Sequence, residues 1–91
     1  FYMERSNMEK IILDALMMEE AEATHKYLKE MLKLPECYGF NLDALYDCLT
    51  DECSATLTIR NSEEAGAYFT RVLDVMLDAQ EENEELHVEL E

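Results

Sequence analysis

Residues 34–50 read LPECYGFNLDALYDCLT. A proline and glycine turn carrying aromatic residues runs into a short helix that starts at Asn41, whose side-chain oxygen can cap an amide left unpaired at a helix start. Leu42, Leu45 and Leu49 recur at helical spacing and form an inward stripe, which leaves Asp43, Asp47 and Tyr46 on other faces. Asp43 and Asp47 lie four residues apart and share one face. Like charges so placed cost a free helix about 0.2–0.5 kcal/mol, so an exposed pair suits something outside the chain. The bland reading is a solvated helix end, since carboxylates near a helix N-terminus also gain from the macrodipole.

Working outward, Leu34-Pro35 stops an amphipathic helix expected over 17–33. Its inward positions are Met17, Ala21, Thr24, Leu28, Met31 and Leu32, and its wet side carries Glu19, Glu20, Glu22, Lys26, Lys29 and Lys33. Acids at its start and lysines at its end follow the order the macrodipole prefers. Before it, Ile11-Ile12-Leu13 is a short β-branched run that ends at Asp14 and predicts a strand. Residues 1–7 show no period and are expected to form a loose arm of a single 1–91 domain. Beyond the opening stretch, Thr56-Leu57-Thr58-Ile59-Arg60 alternates as a half-buried strand does. Ser62 is expected to cap a third helix with a stripe of Ala65, Tyr68 or Phe69, Val72, Met76 and Ala79. The acidic run 81–85 predicts a solvated turn, and Leu86 to Glu91 alternates again as a closing strand.

The order β, α, α, β, α, β predicts an α/β fold with a parallel sheet joined by right-handed crossovers. Alternation in the second and third strands means that only one sheet face is covered. In strand order 1-2-3, right-handed crossovers bring the helices to that same face. The expected fold is therefore two layers, a three-stranded parallel sheet with helices on one side. Ile12 sits awkwardly on the polar side.

With 22 acidic against 7 basic residues, the formal charge of −15 repels nucleic acid and anionic membrane, and a basic partner is the natural counterpart. Acidity also serves plain solubility. No apolar run approaches the roughly 20 residues that span a bilayer, and the N-terminal residues lack a signal-peptide core, so a cytoplasmic location is expected. Cys37, Cys48 and Cys53 cannot all pair with one another, which fits reduced thiols, and their spacing matches no zinc or iron–sulfur pattern. No metal or cofactor is expected.

An enzyme needs a constellation of groups, and the sequence offers none. His25 lies between Thr24 and Lys26 and His87 alternates outward, so both are expected at the surface, without a nucleophile partner. With only Gly39 and Gly66, there is no glycine-rich phosphate loop. The segment from Asp43 lacks the oxygen-ligand alternation of a calcium loop. Asp43 and Asp47 as a hydrolytic acid/base pair would need a cleft that nothing in 91 residues suggests. Acyl carrier proteins are also small and acidic, but they need a serine after an aspartate at a helix start, and NLDAL has none.

Asn41 to Thr50, preceded by Leu34-Pro35-Glu36, Tyr38 and Gly39, resembles the barstar family of intracellular ribonuclease inhibitors, whose pattern reads LPEYYGxNLDALWDCLT. The resemblance implies a non-enzymatic protein with a three-stranded parallel sheet, monomeric when free. Its partner would be a small basic ribonuclease of the extracellular type, whose active site it plugs. It implies that Asp47 takes the place of a substrate phosphate and that Asp43 is the second acidic contact. Tyr38, Gly39, Asn41, Tyr46 and Thr50 fall on partner-binding positions of the loop and helix, and Asp78 falls where the family has a contacting glutamate. Cys37 and Tyr46 stand where the pattern has a loop aromatic and a tryptophan, and Asp51 and Glu52 where it has glycine and tryptophan, which trades aromatic area for charge, while Phe40 replaces a polar or acidic residue. The alternative is an interaction module of the same fold that binds a different basic protein without ribonuclease inhibition.

Overall fold

The alternation at 55–60 builds the central strand of the sheet. The computed structural model describes residues 9–51 and 53–91, so the arm expected at 1–7 and the departure at Glu52 lie outside the described residues. Strands β1 (Glu9–Asp14), β2 (Ala55–Arg60) and β3 (Leu86–Leu90) form one sheet in the order β1-β2-β3, both pairings parallel. Helices α1 (Ala21–Leu32), α2 (Leu42–Asp51) and α3 (Ala67–Glu82) complete the fold. This is the two-layer arrangement with strand order 1-2-3 that the patterning predicts.

The register explains the two faces. Leu13, Ile59 and Leu90 lie side by side, as do Ile11, Leu57 and Val88. Leu13, Leu57 and Ile59 are buried beneath Leu28 of α1, Leu45 and Leu49 of α2, and Phe69, Val72, Met76 and Ala79 of α3. Burying one such aliphatic or aromatic side chain contributes about 1.5–3 kcal/mol, so this layer supplies most of the drive to fold. Lys10, Arg60, His87 and Glu89 stand on the solvent face, where Ile12 is 50% exposed. On the outer edge of β3, the Val88 amide donates to Gln80 Oε1 at 2.6 Å, which blunts that edge against further pairing.

Three expectations are corrected. The helix expected over 17–33 begins at Ala21. The Asp14 carboxylate accepts from the Leu16 amide at 3.0 Å and closes a 3₁₀ turn, Ala15–Met17, directly after β1. Met17 lies before the helix and Ala21 at its first position, and both are exposed, as is Met31, whereas Thr24, Leu28 and Leu32 face inward as expected and His25 joins them. Ser62 does not cap α3. Asn61 is left-handed and its carbonyl accepts from the Glu64 amide at 3.1 Å, giving a separate 3₁₀ turn, Ser62–Glu64. Extended Ala65 then breaks the chain, and α3 starts after Gly66. Finally, Glu81 and Glu82 belong to α3 rather than to the turn. Among the described residues, no helix is long and apolar enough to cross a membrane.

Candidate protein-interaction site

The connection between α1 and α2 carries residues 33–41. Lys33 takes the left-handed conformation (φ 55°) and its amide reaches the Lys29 carbonyl, which ends α1 in the usual way for a helix C-terminus. Leu34-Pro35 then leads into a turn closed by the Tyr38 amide on the Pro35 carbonyl at 3.0 Å. Gly39 keeps negative φ; its use is space, because a Cβ there would lie 3.3 Å from Ala44 Cβ. The residue that turns the chain into α2 is Phe40, at φ 56°.

Asn41 caps α2 as its chemistry predicts. The Ala44 amide donates to Asn41 Oδ1 at 2.7 Å, and Asn41 Nδ2 donates back to the Gly39 carbonyl at 3.1 Å, so one side chain fixes both the helix start and the loop. At the other end, Thr50 Oγ1 donates to the Tyr46 carbonyl at 2.9 Å. The Leu49 and Cys53 carbonyls accept from Asn83 Nδ2 at 2.8 and 2.9 Å, a tie from the end of α3 that the sequence reading missed. Helix α2 is thus held at both termini, with Leu45 and Leu49 in the core.

Asp43 and Asp47 are exposed on this fixed helix, and Asp51 extends the acidic surface a turn further. Among the described residues, the ion pairs are Lys26–Glu22, Lys29–Glu36 and Arg60–Glu91, and none involves Asp43 or Asp47. Gly39, Asn41 and Asp78 are also exposed, while Tyr46 and Thr50 are half-buried. Asp78 belongs to α3, the helix that packs on α2. Tyr38 differs from these in being buried, at 6% exposed.

The cause is His25, expected at the surface but 0% exposed. It shares the buried face of α1 with Thr24 and Leu28. His25 Nδ1 lies 2.6 Å from Tyr38 Oη, and Nε2 lies 2.7 Å from Tyr68 Oη on α3. A neutral imidazole has one donor and one acceptor, and two hydroxyls satisfy both in either tautomer. Burial holds the His25 pKa below its ordinary value, keeping the ring neutral. Burial likewise pushes the Tyr38 hydroxyl far above its usual range, with Cys48 and Tyr68 adding to the effect. The signal available in the sequence was the phase set by Thr24, Leu28 and Leu32, which brings His25 to the edge of the stripe.

An open depression of about 540 Å³, lined by residues that include Pro35, Cys48 and Cys53, has neither Asp43 nor Asp47 in its wall. Burial raises the Cys48 pKa, with Cys37, Asp47 and Asp51 adding, so the thiol stays protonated. Among the described residues, no group of three or more histidines, cysteines or acids could hold a metal ion.

A family model described as Barstar (barnase inhibitor) matches residues 8–91. A curated relative from Bacillus subtilis (strain 168), named "Putative ribonuclease inhibitor YrdF", is 44% identical over 81 residues, covering 82% of this chain and 89% of its own.

Proposed function

The chain belongs to the barstar family, and from that premise we propose that it inhibits a small basic ribonuclease of the secreted type by setting α2 and the adjoining loop into the enzyme's RNA-binding cleft. The observation that carries this reading is the pair Asp43 and Asp47, exposed one turn apart on a helix pinned at both ends and free of ion pairs within the described chain. In a cleft built to hold RNA phosphates among cationic side chains, Asp47 occupies a phosphate position and Asp43 a neighbouring one. Asp78 adds a carboxylate from α3, and Tyr46 offers a flat half-buried ring.

The remaining residues act by fixing geometry. Asn41 and Thr50 hold the ends of α2, Gly39 lets the loop lie against it, and Tyr38 anchors the loop through His25. A rigid face loses little freedom on binding, so more of each charge–charge contact appears as affinity. The net charge of −15 steers a basic enzyme toward the chain before contact. Truncating one member of a desolvated charge pair costs about 2–5 kcal/mol, a range that draws on the barnase–barstar pair of this same family. The reading places the chain in the cytoplasm as a monomer when free, with no cofactor and no catalysis of its own.

The experiment is titration of secreted-type basic ribonucleases with the protein. Loss of activity complete near one equivalent supports the reading. Full activity at every ratio, for every enzyme tried, refutes it and leaves a module for a different basic protein.

A further inference from the structure

Three described residues other than glycine have positive φ: Lys33, Phe40 and Asn61. Two have local reasons. Lys33 ends α1, and asparagine is several-fold enriched in the left-handed region among residues other than glycine. Phe40 has neither reason. A bulky aromatic residue at φ 56° is a steric outlier, and Gly39 beside it does not take the strained position.

The strain places a large apolar ring at the surface. Phe40 is 39% exposed and immediately precedes the cap of the helix that carries Asp43 and Asp47. The ring is held in place: its centroid lies 5.5 Å from that of Tyr38 at a 44° tilt, and Lys29 Nζ lies 5.7 Å from its centroid. Tyr38 in turn is tied to His25, so the support runs from the core to the exposed ring. Charge alone gives steering and register. Aromatic rings seated beside such charges supply the apolar contact that slows dissociation.

We infer that Phe40 is a partner-contacting residue, its ring packing against apolar surface at the lip of the basic cleft. This rests on the proposed ribonuclease inhibition and adds a specificity-determining contact to it. The occupant is the same basic enzyme that Asp43 and Asp47 attract. Enzymes with a charged or strongly polar lip at that point are inhibited less well.

The test uses Phe40→Gly and Phe40→Tyr, with Asp47→Ala alongside, on the full chain and on whichever ribonuclease it inhibits. Glycine takes positive φ without strain, so Phe40→Gly is expected to unfold within a few degrees of the parent or above it. It should nevertheless bind about tenfold or more weakly, chiefly through faster dissociation, as truncation of an interface aromatic does. The loss should be the same at low and high salt, and Phe40→Tyr should restore most of it. Phe40→Gly binding within about twofold of the parent, while Asp47→Ala binds far more weakly, overturns the inference and leaves the function standing. A large fall in melting temperature with affinity intact also overturns it, because the ring is then only packing. If the parent inhibits no ribonuclease, the proposed function falls and Phe40's role falls with it.

Discussion

Replacing His25 with leucine keeps the side chain's bulk but removes both partners of two tyrosine hydroxyls. Tyr38 is 6% exposed, so its hydroxyl is left buried and unpartnered, which costs about 1–3 kcal/mol. Tyr68 is half-buried and can turn toward water, so its loss is nearer the net value of one hydrogen bond, about 0.5–1.5 kcal/mol. Together the expected loss is about 1.5–4.5 kcal/mol, a large share of the roughly 5–15 kcal/mol that holds a domain folded. For a chain this short, that lowers the melting temperature by about 8–24 °C. Urea unfolding followed by circular dichroism measures it, with an unchanged slope showing that the transition stays two-state. A cycle with Tyr38→Phe isolates the cause. In the His25→Leu background, Tyr38→Phe removes the orphaned hydroxyl and should return about 1 kcal/mol or more, whereas in the parent it should destabilise. A loss below about 1 kcal/mol for His25→Leu, or a further fall on adding Tyr38→Phe, refutes the reasoning.

Burial holds the His25 pKa below its ordinary 6.5, so on acidification the unfolded chain binds the proton first. This component of stability is complete above about pH 6.5 and is lost as pH falls toward the folded-state pKa; the urea midpoint of the parent minus that of His25→Leu should shrink over that window, and a constant difference contradicts it. In binding, Asp47→Ala should weaken the ribonuclease complex by about 30-fold to several thousandfold, the equivalent of about 2–5 kcal/mol, whereas Glu82→Ala, exposed in the last turn of α3, should change it less than about threefold. Equal small losses would remove α2 from the contact.

Local chemistry made much of this molecule legible. Asn41 was readable as a cap because its partner amide is only three residues on. The strands were readable because alternation at Thr56 to Arg60 reports one buried face directly. Asp43 and Asp47 were readable as an exposed pair because helical spacing alone decides which face they share. What escaped depends on contacts between distant residues. His25 is buried because Tyr38 and Tyr68, thirteen and forty-three residues away, satisfy both its nitrogens. Tyr38 is buried in the same network, its hydroxyl against His25. Asn83 looked like part of a solvated turn, yet it ties carbonyls thirty residues or more back in the chain. The left-handed residue of the loop is Phe40 and not its glycine neighbour, which no propensity would favour.

Inhibition measured against rising RNA concentration tests the central claim most directly. A carboxylate face seated in the RNA cleft excludes substrate, so the inhibitor concentration giving half activity should rise linearly with RNA concentration from a stoichiometric value when RNA is scarce. Full activity with excess protein, or inhibition indifferent to RNA concentration, would contradict the account.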